Sequence, residues 1–344
     1  ATALSQLLGK RVSITVPQVS LFAGAKVSPS SFLMQPEDIG LAVDLKILGE
    51  KWNANLIRWQ LGANKYKAGL ATPGYDTILD EEIAKLDAIL PACKKYGIYV
   101  VVDMHSLALD SFSSTANQDK LVDAWKKLAS HYKGNPVIWG YDIINEPRLN
   151  NWQEGSFLWN DLAERVSQEI RKIDPDTAII IEAELMALPA GFETLRPVSA
   201  PNVIYSLHMY NPGQFTHNRV YDKNQSPETY PGMIGGTMWD KAELERNLKP
   251  VIDFQKKYNV HIYVGEFSAI RWSPGAPQYL SDLIDICEKY GWDWSYHAFR
   301  EFHGWSLEHG ADFNDNNPSA TQTDREKIVR SWLDKNKKPD WTGK

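Results

Sequence analysis

The chain has 344 residues, 43% of them apolar and 23% charged, close to the averages of a soluble globular protein of one large domain or two ordinary ones. A formal net charge of −6 argues against nucleic acid and anionic membrane surfaces as partners, and no apolar run approaches the roughly 18 residues of a membrane span. Thirteen tryptophans exceed what a core of this size needs, so some are expected to line a ligand groove.

Taken in chain order, the opening ATALSQLLGK has neither an initiator Met nor a signal pattern, which permits secretion without indicating it. Either RVSITVP (11–17) or VSLFAGAKV (19–27) supplies a first strand, and NLIRWQL (55–61) is the next. A helix over TILDEEIAKLDAILPACKKY (77–96) stops at Gly97, and a β-rich run ends at Asp103 and His105. QDKLVDAWKKLASHY (118–132) leads to the strand that ends IINEP at Asn145 and Glu146. WNDLAERVSQEIRKI (159–173) precedes TAIIIEA (177–183) and then NVIYSLHMY (202–210). The segment 211–239 is long, aromatic and rich in Gly and Pro, and reads as a loop bordering a site. A helix over 240–258 then feeds HIYVGEFS (261–268), and PQYLSDLIDICEKY (277–290) feeds WDWSYHAF (292–299).

CKKYG, QKKYN and CEKYG repeat one device: lysines in a last helical turn, then Gly or Asn in the left-handed conformation that ends a helix. The runs that follow are almost continuously apolar, as in parallel strands covered on both faces. Eight such units nearly fill the chain, so the expected architecture is a single (β/α)8 barrel spanning 1–344. A doubly wound open sheet is the main competitor, weakened by the lack of a Gly-rich phosphate turn after an early strand. Cys93 and Cys287 are expected as buried free thiols.

Active sites of such barrels lie at the C-terminal strand ends. Those ends carry Arg58, Asp103, His105, Asn145, Glu146, Glu182, Glu184, His208, Tyr210, Glu266 and His297 to Glu301. Glu146 and Glu266 follow the fourth and seventh strands and so face each other across the mouth. Glycosidic bond cleavage needs such a pair, one carboxyl to protonate the leaving oxygen and one carboxylate to attack or to activate water.

IRW at Arg58, DMH at His105, INEP at Asn145 and Glu146, LHMY at His208 and Tyr210, and GEF at Glu266 together resemble glycoside hydrolase family 5 over about residues 36–310. The resemblance implies a secreted or extracellular, monomeric, retaining endo-β-1,4-glucanase of the cellulase type, acting on a plant polysaccharide without metal or organic cofactor. It implies Glu146 as acid/base, Glu266 as nucleophile and Asn145 on the sugar 2-hydroxyl. Arg58 and Tyr210 would hold the nucleophile, and His105 and His208 would bind sugar or orient the acid/base. β-Mannan, xyloglucan and mixed-linkage glucan are alternative polymers, and a catalytically silent carbohydrate-binding barrel is the alternative of another class. His297 stands where the family usually has a tryptophan beneath the sugar; Trp305, downstream on the loop, and Trp272, just after Glu266, are the candidate replacements.

The same residues have plainer readings. Glu146 next to Pro147 could cap a helix, Glu266 could pair with Arg271, Arg58 could serve as an interior salt bridge, and either histidine could be a satisfied core residue. DFNDNNPSATQT (312–323) starts like a calcium loop but has Asn317 where Gly is needed and Thr323 where Glu belongs, so a solvated loop is expected.

Overall fold

The computed structural model describes residues 17–21 (backbone only), 43–62, 69–149 and 152–341. Eight parallel strands close into a barrel: β1 (Pro17–Leu21), β2 (Leu56–Gln60), β3 (Tyr99–Asp103), β4 (Ile138–Asp142), β5 (Ala178–Glu182), β6 (Val203–Met209), β7 (His261–Phe267) and β8 (Asp293–Phe299). Each pairs with its neighbour in sequence, and β1 closes the ring against β8 and β2. The (β/α)8 expectation is met. β1 takes one residue from RVSITVP and three from VSLFAGAKV, whose remainders lie outside the described residues.

The helices α1 (Tyr75–Tyr96), α2 (Thr115–Tyr132), α3 (Trp159–Ile173), α4 (Lys241–Asn247), α5 (Lys249–Tyr258), α6 (Ala276–Tyr290) and α7 (Asp324–Leu333) wrap the barrel. Gly97, Gly291 and Asn259 end α1, α6 and α5 at φ 66°, 67° and 52°, the left-handed stops read from the repeat. The helix expected over 240–258 is two: Pro250 cannot donate to Arg246, its ring crowds that carbonyl, and Leu248 becomes the joint. Only a 3-10 turn (Pro189–Glu193) spans the crossover from β5 to β6, and α7 had no counterpart in the sequence reading. Both cysteines are buried and free.

Two cores follow from strand alternation. The larger fills the space between strands and helices, while Leu56, Val101, Ala178, Ile180, Ile204 and Tyr263 pack inside the barrel. Further along the inward series towards the C-terminal end stand Arg58, Asp103, Asp142, Glu182 and, beyond Ser206, His208, all fully buried. Apolar layers therefore support a charged layer from beneath.

Candidate active site

Arg58 is the hub of that layer. Its Nε meets Asp142 Oδ2 at 2.9 Å, Nη1 meets Asp103 Oδ2 at 3.0 Å and Glu266 Oε1 at 2.7 Å, and Nη2 meets Glu182 Oε1 at 2.8 Å and Asn145 Oδ1 at 3.0 Å. Five acceptors face the five N–H groups of the guanidinium fork. Burial disfavours the cation, yet Asp103, Asp142, Glu182 and Glu266 outweigh it and raise the Arg58 pKa well above its usual value. Burial, then the neighbouring Glu182, pushes the Asp142 carboxyl well up, against the pull of Arg58.

Glu266 reaches this layer through a β-bulge. Tyr263 faces inward opposite Ser206, so strict alternation would bring Gly265 inward opposite His208. Instead the register shifts after Leu207, Glu266 pairs with His208, and Gly265 is the extra residue. A Cβ on Gly265 would lie 2.9 Å from Ser206 Oγ and 3.2 Å from His208 Nε2, so glycine is needed there for close approach. Tyr210 donates to Glu266 Oε2 at 3.0 Å, and His297 Nδ1 lies 3.4 Å from the same oxygen. Burial alone would raise the Glu266 carboxyl, but the charges of His208, His297, Arg58 and His105 hold it well below the usual carboxylate range.

Glu146 sits four residues past β4, with φ at 47°, and its backbone N–H donates to Glu182 Oε2 at 2.6 Å. Its Oε1 is 3.2 Å from His208 Nδ1, whose other ring nitrogen is 3.0 Å from Glu182 Oε1. Desolvation opposes a charge on His208, but Glu182 and Glu266 prevail and raise its pKa well above 6.5. A carboxylate oxygen from each of Glu146 and Glu266 and a ring nitrogen of His208 all fall within 4.8 Å of one another. Among the described residues this is the one grouping whose ligand atoms lie close enough to share a metal, and both ring nitrogens of His208 face carboxylates.

A pocket of about 420 Å³ opens above these groups, lined by His105, Asn145, Glu146, Val220, Tyr221, Glu266, His297, Glu301, Phe302 and Trp305. His105 is held by Asp103 at 2.8 Å; burial lowers its pKa, but the Asp103 charge more than offsets this and the net shift is upward. Segment 211–239 does border the pocket. Tyr221, 87% exposed, lies parallel to the His217 ring at 6.1 Å, and burial followed by the charge of His297 pushes His217 down to about 4, which keeps it neutral.

The Trp305 ring lies 5.3 Å from His297 and 6.4 Å from Tyr210, so it lines the pocket as one of the two candidate platforms. Trp272 does not. Its indole donates to the Asn218 carbonyl and its ring packs on Phe313 at 4.8 Å, which ties segment 211–239 to the loop after β7. Arg271, read as an alternative partner of Glu266, instead donates to the carbonyls of Gly310, Asp312 and Asp315, placing a guanidinium within the calcium-like loop. No motif in the sequence marks a role for Glu182 or Asp142. Both lie on the inward face of their strands at the level of Arg58, which was the available signal.

The cellulase model of glycosyl hydrolase family 5 matches residues 35–302. Endoglucanase C of Acetivibrio thermocellus is 25% identical over 255 residues, covering 63% of this chain and 73% of that protein. Endoglucanase 3 of Fibrobacter succinogenes is 23% identical over 302 residues, 74% of this chain and 45% of its own length. The crystal structure of endoglucanase Cel5A from Thermotoga maritima superposes with a TM-score of 0.70 at 22% identity, covering 93% of this chain and 97% of that one.

Proposed function

We propose, since the chain belongs to glycosyl hydrolase family 5 and is a glycoside hydrolase, that it is a retaining endo-β-1,4-glucanase secreted to act on plant β-glucan. The observation that carries this reading is the approach of a Glu146 oxygen and a Glu266 oxygen to within 4.8 Å across one pocket. Retaining glycosidases place their carboxyl groups about 5–5.5 Å apart, whereas inverting enzymes leave room for a water at about 6.5–9.5 Å. The pocket volume suits a sugar unit and part of the next, and endoglucanase is the printed name of several relatives.

In the first step Glu266 attacks the anomeric carbon, the glycosidic C–O bond breaks, and Glu146 delivers its proton to the departing oxygen. In the second, Glu146 takes a proton from water, the water oxygen attacks the same carbon, and the Glu266 ester bond breaks. Arg58 and Tyr210 keep Glu266 ionised and aligned, while His208 Nδ1 lies 3.2 Å from Glu146 and 3.8 Å from Glu266. Asn145, which accepts from Arg58, takes the 2-hydroxyl in this reading.

Azide separates the two roles. Glu146→Ala should lose roughly 10²–10⁴-fold in kcat on polymer and recover on aryl glycosides with good leaving groups when azide is added, yielding a β-azide. Glu266→Ala should be inactive and yield no β-azide. Azide rescue at neither position, with both variants folded, would sink the assignment. NMR of products from carboxymethylcellulose, lichenan, xyloglucan and mannan identifies the polymer and the mode of attack.

A further inference from the structure

Proton bookkeeping around His297 sets the direction of each hydrogen bond. Tyr210 has one hydroxyl proton, which it donates to Glu266. The contact between that hydroxyl and His297 Nδ1 therefore runs the other way, with the ring N–H as donor. Across the ring, His297 Nε2 lies 3.0 Å from Glu301 Oε2, and an ionised carboxylate only accepts. Glu301 is thus the outer end of a chain that runs carboxylate, imidazole, phenol, carboxylate and finishes on Glu266.

Holding His297 uses one oxygen of Glu301. Among the described residues His297 is its one side-chain donor, and the carboxylate, 23% exposed, lines the pocket beside Tyr221, Phe302 and Trp305. Arg300, adjacent in sequence, is turned to Asp44 and Glu308 instead. An anionic acceptor with unused capacity, fixed from behind by a histidine that also touches the nucleophile's partner, faces the space a sugar ring would fill. Sugar hydroxyls are the donors that would complete it. An aromatic plate at this wall would read only the apolar face of a ring; a carboxylate reads whether a given hydroxyl is present and how it is oriented.

We propose that Glu301 accepts a hydrogen bond from a hydroxyl of the sugar bound against Glu266 and thereby selects which sugars the site takes, with His297 acting as a positioning residue. The proposal rests on the glycosidase reading above and deepens it.

The test uses 2,4-dinitrophenyl β-cellobioside and its analogues deoxygenated at carbon 3 or carbon 6 of the sugar that bears the leaving group. In the wild-type chain one analogue should lose roughly ten- to a hundredfold in kcat/KM, the range for a hydrogen bond to a charged group. That penalty should vanish in Glu301→Ala and shrink in Glu301→Gln, a pattern that a purely structural role would not produce. The isosteric Gln variant keeps the comparison readable if the Ala variant fails to fold. Equal penalties in wild type and variants, or no penalty in the wild type, overturn the proposal. Hydrolysis of the parent compound by the wild type, and its loss in Glu266→Ala, report separately on the glycosidase reading.

Discussion

Arg58 and His208 show how single residues tune the proposed nucleophile. Arg58 makes four hydrogen bonds and a further ion pair with Asp103, and a lysine would bring three donors on a flexible stem. Arg58→Lys keeps the charge but leaves Glu266 unaligned; kcat should fall by roughly 10²–10³-fold, with a smaller change in KM, as steady-state kinetics on an aryl glycoside will show. His208 is the largest of the charges that lower the Glu266 pKa. Replacing it by Gln should shift the acid limb of the kcat/KM profile to higher pH, and an unmoved limb would refute the coupling. Stability gives a second readout with a definite sign. The folded pKa of His208 is raised, so its ion pairs stabilise the fold fully below the unfolded value of about 6.5 and are lost as pH rises through the higher folded value. Urea titrations should therefore show the widest gap between wild type and His208→Gln at about pH 5–6.5, narrowing in alkaline solution.

At the level of elements, the bulge in β7 turns Glu266 towards the barrel axis, and Gly265 makes the bulge fit. Gly265→Ala would drive a methyl group against Ser206 Oγ and the His208 ring. We expect a stability loss of about 1–3 kcal/mol, the range for overpacking, together with a fall in kcat as His208 leaves Glu182. Adding Ser206→Ala should restore part of the stability, which a urea series of the three variants would reveal. This bulge also shows where sequence stops being legible. Helix stops at Gly97, Asn259 and Gly291, the apolar strands between them, and the carboxylates near the C-terminal ends of the fourth and seventh strands are legible, because each is a local pattern of residue types. A one-residue register shift leaves no such pattern, and counting alternate residues from Tyr263 would turn Glu266 away from the barrel axis. Trp272 failed for a related reason: proximity to Glu266 in sequence said nothing of the Asn218 carbonyl that takes its N–H. The break at Pro250 is legible in the residues, although the amphipathic run continues on either side of it.

Across the whole molecule, the two ends of the barrel separate chemistry from stability. The charged layer and pocket occupy the C-terminal end, while the segment after α7 packs at the opposite end, against the residues that lead into β2 and β3. There Asn336 Nδ2 donates to Asn53 O at 3.0 Å, Asn53 Nδ2 returns a bond to Asn336 O at 3.0 Å, and Asn55 Nδ2 donates to Lys337 O at 2.9 Å. Lys338 Nζ reaches the carbonyls of Gly49 and Ala54, both at 2.8 Å, and Trp341 packs edge-on to Tyr99 at 5.0 Å. These bonds clamp the approach to β2, the strand that carries Arg58, yet none touches the guanidinium or anything above it. Each such bond contributes about 0.5–1.5 kcal/mol net. Removing residues 335–344 should therefore lower Tm by roughly 5–10 °C while leaving kcat on an aryl glycoside within about twofold of wild type well below the new transition, because the apolar layers between the two ends still hold the charged layer in register. A calorimetric scan paired with kinetics at low temperature measures both halves. A large loss of kcat in a variant that remains folded would mean that the clamp positions Arg58, and that the two ends are coupled through β2.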